Sequence, residues 1–109
     1  MGCSEGRAVV LDVAHDGKVL GDLQTSATGV DIIDYDKTLH HLYFPGARSA
    51  TLAILGVASD GSLIELGNTP SPAGGHCGVS DQRGHAYVCD PKVGRLMVFQ
   101  DRFAPVAWR

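Results

Sequence analysis

The sequence repeats itself at an offset of 44 residues. Arg7–Leu20 (RAVVLDVAHDGKVL) aligns with Thr51–Ile64 (TLAILGVASDGSLI), and the same step takes Leu52–Leu55 to Leu96–Phe99 and Tyr43 to Tyr87. A fixed period of this size is typical of chains that stack copies of one supersecondary unit. Such a unit cannot bury its apolar face alone, so the repeat predicts a fold in which neighbouring copies pack against each other.

Each repeat has the pattern of short antiparallel strands. Asp16-Gly17 and Asp60-Gly61 predict two-residue type I′ hairpins, because both turn positions need a positive φ. Gly84 suits the left-handed position of a three-residue hairpin loop. The continuous apolar runs Ala8–Leu11 and Leu52–Leu55 predict strands that are buried on both faces. The predicted strands are 8–14, 18–23, 30–35, 39–44, 52–58, 62–66, 76–80, 85–89 and 95–100.

A unit of four short antiparallel strands in about 44 residues has the size of a β-propeller blade. Tyr87-Val88-Cys89-Asp90, followed by Gly94-Arg95 and four apolar residues, resembles the Tyr-Val-Thr-Asn repeat of the YVTN and NHL-type β-propellers. That superfamily has WD40-like blades and includes the propeller lactonases. Cys89 and Asp90 depart from its pattern, and Leu42–Pro45 in the middle unit departs further. The resemblance implies an all-β fold of antiparallel four-stranded blades, but no single activity, because propellers host many functions.

The predicted strands amount to about two and a half blades within one domain, residues 1–109. They divide into a half blade at 7–23, a full blade at 28–67 and a partial blade at 74–101, with 103–108 as a candidate fourth strand. Propellers typically close with four to eight blades, so each chain is expected to hold an incomplete propeller. Either the chain is a fragment of a longer propeller, or several copies form a homo-oligomeric ring, for which two blades per chain favour a trimer.

Composition excludes some classes of partner. The net charge of −3 predicts no basic patch for nucleic acid. No apolar run approaches the roughly 18 residues of a membrane span. The first residues, Met1–Gly6, contain no apolar segment of a secretory signal, although similar propellers are often exported. We therefore expect a soluble protein, periplasmic or secreted if the native N-terminus is longer.

The repeat also indicates candidate site residues. Gly29-Val30-Asp31 aligns with Gly74-Gly75-His76 at an offset of 45, which places Asp31 and His76 at equivalent points of neighbouring inner strands. The resemblance implies a ligand site there, because propeller sites usually lie at the mouth of the central channel. A carboxylate and an imidazole can bind a divalent metal or act as acid and base. The alternative is that both side chains only hydrogen-bond nearby loop backbone.

Cys77 and Cys89 are a candidate disulfide. A three-residue loop at 82–84 would place the two cysteines directly opposite each other, at a distance that permits a bond. A four-residue loop would place them on opposite faces, and two small buried thiols are the alternative. His40 and His41 are adjacent on a strand and so point to opposite faces, and one of them is expected to be buried beside Tyr43.

Motifs of nucleophilic catalysis and phosphate binding are absent from the sequence. The favoured function is that of a propeller-type binding or assembly module, which presents channel-mouth loops to a small ligand or a protein partner. The alternative is a metal-dependent hydrolase or lyase of the lactonase kind, which would use Asp31, His76 and a divalent metal.

Overall fold

The computed structural model describes residues 5–108, and this part of the chain is all-β. The strands are β1 (Arg7–Asp12), β2 (Lys18–Gln24), β3 (Asp34–Asp36), β4 (His41–Gly46), β5 (Thr51–Val57), β6 (Leu63–Pro70), β7 (Gly78–Ser80), β8 (His85–Asp90) and β9 (Arg95–Gln100). Every pairing is antiparallel. The strands form sheet I (β1–β2), sheet II (β3–β6) and sheet III (β7–β9). In the described residues, no helix has the length and apolar character that a membrane crossing needs.

Sheet II lies between the other two sheets. Its first face carries Phe44, Ala53 and Leu55, which form a buried cluster with Ala8, Ala27 and Val30 on the side of sheet I. Its second face carries Tyr43, Leu52 and Ile54, which form another buried cluster with Ala86 and Val88 of sheet III. The core therefore consists of two apolar layers, one on each side of the middle sheet.

Burial on both faces explains the composition of β5. Six consecutive residues of this strand, Leu52–Val57, are buried, as predicted for Leu52–Leu55. The same prediction was wrong for Ala8–Leu11. Ala8 is fully buried, but the side chain of Leu11 is 39% exposed. The reason is that sheet I packs against sheet II through one face only.

The Asp16-Gly17 dipeptide lies in a turn, but not in the predicted two-residue hairpin. Asp12 pairs with Lys18, so the loop is longer and includes a short 3-10 helix at Val13–His15. Asp16 and Gly17 do adopt positive φ angles of 57° and 73°. The prediction was wrong because the Asp12 carboxylate accepts a hydrogen bond from the Ala14 amide, which starts a helical turn before the dipeptide is reached.

The Asp60-Gly61 dipeptide also forms a longer loop than predicted. The Ala58 amide donates to the Ser62 carbonyl at 2.9 Å, so three residues make the turn. Gly61 alone has a positive φ, of 88°. The Asp60 carboxylate accepts hydrogen bonds from both the amide and the hydroxyl of Ser62, an arrangement that stabilises a turn at this point and replaces the type I′ geometry.

Strands β1 and β5 share an irregularity. The register of β1 with β2 shifts between Val10 and Leu11, and the register of β5 with β6 shifts between Ile54 and Leu55. These positions are 44 residues apart. In each case the partner strand carries one extra residue, which is a β-bulge and increases the local twist.

One predicted strand is shorter than expected, and the candidate fourth strand is not formed. The segment 30–35 contributes only β3, because Val30 makes an isolated bridge to Gly46 and the Ile32 amide turns toward sheet III. The segment 103–108 is no strand but a tail that returns over sheet II. Val106 donates its amide to the Leu39 carbonyl at 2.9 Å, which fixes the tail at the turn between β3 and β4.

Candidate functional site

Three loops meet at one edge of the sheet stack, and we call this region the loop edge: residues 28–32, 46–49 and 72–76. The Ala47 amide donates to the Gly29 carbonyl at 3.2 Å, and the Gly74 amide donates to the Ala47 carbonyl at 2.9 Å. The Ile32 amide donates to the His76 carbonyl at 3.0 Å. The loop edge is therefore held by backbone hydrogen bonds, two of which cross from the loops of sheet II to a loop of sheet III.

The predicted site residues both lie on the loop edge. Asp31 and His76 are exposed, and the Ile32–His76 hydrogen bond makes their segments neighbours. The Nδ1 atom of His76 lies 3.0 Å from the Gly74 carbonyl oxygen, so one ring nitrogen contacts loop backbone. The role of both residues in ligand binding stays a prediction.

A metal site at Asp31 and His76 would need further ligands. Residues 5–108 contain no group of three or more His, Cys, Asp or Glu side chains that could hold a metal ion. Zinc sites usually take three or four protein ligands. A cation bound here would therefore depend on water or on a ligand for most of its coordination.

Arg48 is a member of the loop edge that the sequence did not single out. It is exposed, and its amide donates to the Thr28 carbonyl at 3.1 Å. Gly29 lies so close that a Cβ atom there would meet the Arg48 amide nitrogen at 2.7 Å. With Asp31 and His76, the edge thus presents an anionic, a cationic and an imidazole side chain. No sequence signal marks Arg48, since an exposed arginine in a turn is ordinary.

Cys77 and Cys89 face each other across sheet III. The pairing of Val79 with Tyr87 and the Asp81–His85 hydrogen bond give the register of a three-residue loop, with Gly84 at a φ of 85°. The structure joins the two cysteines as a disulfide with a Cα–Cα distance of 5.9 Å. Whether the bond forms in solution is tested by the thiol titration described below.

A concavity of about 180 Å³ surrounds this disulfide on the exposed face of sheet III. Its lining is almost entirely apolar and consists of Cys77, Gly78, Val79, Tyr87, Cys89 and Leu96. We call the side of sheet III that carries Val79, Tyr87, Cys89, Leu96 and Val98 its outer face. Strand alternation points these residues away from sheet II, since Ala86 and Val88 point toward it.

A buried polar cluster joins sheets II and III. His41 is fully buried, and its Nδ1 atom lies 2.5 Å from Asp101 Oδ2, while its Nε2 atom lies 3.0 Å from the Ala104 carbonyl oxygen. Tyr43 donates its hydroxyl to the same Asp101 oxygen at 2.6 Å. Burial, together with this hydrogen bond and the negative charge of Asp101, raises the pKa of Tyr43 far above its usual range. The expected burial of one histidine beside Tyr43 is thus met by His41.

A related cluster lies 44 residues later, near the surface. His85 Nδ1 lies 2.9 Å from Asp81 Oδ2, and Tyr87 donates to that oxygen at 3.3 Å. Burial pushes the pKa of Asp81 upward, but hydrogen bonds from the amides of Arg83 and His85 outweigh it and lower that pKa. Asp81 thus lies in a loop of the same sheet as His85 and Tyr87. His41 and Tyr43 of sheet II instead contact Asp101, which follows the last strand of sheet III. Because Asp101 is equivalent to Val57 at the 44-residue offset, the repeat could not reveal it.

The tail closes this end of the molecule with aromatic contacts. The rings of His40 and Trp108 stack with their centroids 3.7 Å apart and their planes 8° from parallel. Trp108 donates its indole N–H to the Val57 carbonyl at 2.7 Å. The tail therefore covers buried backbone of β5 and gives His40 a structural contact.

No protein-family model matches the chain, and no curated protein matches its sequence.

Proposed function

We propose that the chain is a β-propeller-type binding module, which presents the loop edge to a small polar ligand or to a polar group of a protein partner. In this proposal sheets I, II and III are successive blades, with the blade spans 7–23, 28–67 and 74–101. The matched bulges of β1 and β5, 44 residues apart, support the assignment of equivalent strands to successive blades. The successive packing of sheet II on sheet I and of sheet III on sheet II supports it as well.

The observation that carries the proposal is the backbone hydrogen bond from Ile32 to His76. It joins the entry of sheet II to the entry of sheet III, and so brings together the two segments that carry Asp31 and His76, two exposed polar residues that are far apart in sequence. Asp31, Arg48 and His76 together offer a carboxylate hydrogen-bond acceptor, a positively charged guanidinium donor and an imidazole. A ligand that carries a carboxylate, hydroxyl or amine group matches this set.

The test is an NMR titration of the ¹⁵N-labelled protein with small carboxylic acids, amino acids and monosaccharides, and separately with Zn²⁺ and Ca²⁺. We expect a bound compound to shift the amide signals of residues 29–32, 47–49 and 74–77. Asp31→Asn and His76→Gln should each raise the apparent Kd of that compound, as measured from these shifts, at least about tenfold. His15→Gln is the matched control, because His15 is also exposed but lies in the β1–β2 turn.

The outcome also separates a binding module from an enzyme of the lactonase kind. Ligand shifts that appear without added metal support the binding module. Shifts that require Zn²⁺ or Ca²⁺, together with hydrolysis of a lactone that His76→Gln abolishes, would support the metal-dependent alternative. Shifts that spread elsewhere and ignore both variants would refute the loop edge as the site.

A further inference from the structure

The outer face of sheet III leaves apolar side chains uncovered beside a concavity. Val79, Leu96 and Val98 are 53%, 63% and 58% exposed, although they lie on regular strands. Contiguous exposed apolar side chains on a sheet mark an interaction surface. At the polar end of this face, His85 and Tyr87 already have a hydrogen-bond partner, because the Asp81 carboxylate accepts from both side chains.

The packing inside the chain indicates which surface fits this face. Leu96, Val98 and Tyr87 stand 44 residues after Leu52, Ile54 and Tyr43. Those three earlier residues form the face of sheet II that sheet III covers. The outer face of sheet III is therefore equivalent to a surface that, one repeat earlier, is covered by the next sheet.

The opposite end of the stack has the complementary surface. Leu11 pairs with Val19 in sheet I, and the two side chains are 39% and 55% exposed. Strand alternation puts Leu11 on the side opposite Ala8, which packs on sheet II. Leu11 stands 44 residues before Leu55, and Leu55 lies on the face of sheet II that receives sheet I. We call the side with Leu11 and Val19 the outer face of sheet I.

We propose that the outer face of sheet III binds the outer face of sheet I of a second copy of this chain. The contact would repeat the sheet-on-sheet packing that the chain uses twice internally, and Leu11 or Val19 of the second copy would fill the concavity beside Cys89 and Leu96. Because the two faces differ, the contact is heterologous, and successive copies build a ring where the rotation closes. This inference rests on the proposed assignment of the three sheets to successive blades, and it does not depend on the ligand at the loop edge.

The size of the face predicts a weak single contact. Strands β8 and β9 have six residues each and β7 has three; with strands about 4.8 Å apart and about 3.4 Å per residue, the sheet projects roughly 250 Å². A stable interface between two proteins usually buries about 800 Å² on each partner. Each chain offers two such faces, so closure into a ring doubles the contact per chain. Closed oligomers should therefore be favoured over isolated dimers.

The test uses one lysine on each outer face. Val98→Lys blocks sheet III, and Val19→Lys blocks sheet I; both positions are more than half exposed, so the fold tolerates the charge. Ile64→Lys is the control, because Ile64 is 61% exposed on β6 and belongs to neither outer face. Circular dichroism of each variant checks that the strands are retained. Light scattering during size-exclusion chromatography gives the mass of each species.

We expect the wild type and Ile64→Lys to run as a closed multiple of the 11.5 kDa chain, and each blocked variant to run as a single chain. An equimolar mixture of Val98→Lys and Val19→Lys should form a species of twice the chain mass and nothing larger, because only one pair of intact faces remains. A wild type that stays at one chain mass up to about 1 mM, where even a Kd of about 1 mM would show, would overturn the proposal. So would assembly that Val98→Lys abolishes and Val19→Lys leaves intact, since that pattern indicates a symmetric contact of sheet III with itself. Either failure leaves the NMR shifts at the loop edge unchanged and is distinguishable from failure of the binding proposal.

Discussion

Replacing Asp101 with alanine should destabilise the protein more than any exposed substitution. Its Oδ2 atom accepts from His41 at 2.5 Å and from Tyr43 at 2.6 Å, and its side chain is only 1% exposed. Removing one partner of a buried pair costs about 3–5 kcal/mol, because the other partner is left without its counter-group. A domain has a free energy of unfolding of about 5–15 kcal/mol in total, so Asp101→Ala should remove a large fraction of it.

Urea unfolding measures this loss with two probes. Far-UV circular dichroism reports the strands, and the fluorescence of Trp108 reports the tail, since it is the single tryptophan of the chain. Asp101 also accepts a hydrogen bond from the Phe103 amide and begins the tail. We therefore expect Asp101→Ala to lower the midpoint by both probes, and the Trp108 midpoint by more.

Asp81→Ala is the matched control. Asp81 contacts His85 and Tyr87 as Asp101 contacts His41 and Tyr43, but its side chain is 26% exposed and water can replace it. The loss should therefore be clearly smaller than that of Asp101→Ala. If Asp101→Ala lost less than about 1 kcal/mol, or no more than the control, the buried cluster would not be the polar link between sheets II and III that we infer.

Three further predictions concern titration and redox state. Because the folded state raises the pKa of Tyr43, stability should fall as pH rises above the unfolded-state value of about 10, and Tyr43→Phe should flatten the dependence of the urea midpoint on pH between 9 and 11. Burial pushes the pKa of Asp36 upward, but hydrogen bonds from the Thr38 hydroxyl and from nearby amides outweigh it and lower that pKa. Stability should therefore fall as pH drops below about 4. In an acid titration, Asp36→Asn should lose less stability over this range than the wild type. Thiol titration of the oxidised, denatured chain should find one thiol, rising to three after reduction; three thiols before reduction would refute the Cys77–Cys89 bond.

The sequence predicted which strands exist better than where they begin and end. The 44-residue offset located the hydrophobic strands β5, β8 and β9, because an apolar pattern is a local property of the chain. It missed the shortness of β3, since Ile32, just before that strand, bonds to a loop of sheet III and not to β4. Such a choice depends on residues more than 40 positions away, and no local pattern contains it.

The turns show the same limit on a smaller scale. The Asp-Gly dipeptides marked the positions of both hairpins, but side-chain hydrogen bonds of Asp12 and Asp60 decided the loop lengths. The alignment at an offset of 45 residues predicted that Asp31 and His76 lie at equivalent points of neighbouring strands. No sequence pattern indicated Arg48 at the loop edge or Asp101 in the buried cluster. Arg48 reaches the edge through its turn, and Asp101 reaches His41 only because sheet III packs on sheet II.

Binding at the loop edge and self-association use different surfaces, so a variant that blocks self-association should leave binding by a single chain intact. Asp31 and His76 belong to one chain. The contact between sheets II and III brings their segments together, and Val98→Lys does not change that contact. A single-site ligand should therefore bind the Val98→Lys variant with an unchanged Kd. A surface that displays many copies of that ligand should bind the variant about 10²- to 10⁴-fold more weakly than the wild type, because a ring engages several sites at once and a single chain does not. Surface plasmon resonance at low and high ligand density measures both values, and an equal loss at both densities would mean that assembly shapes the site itself.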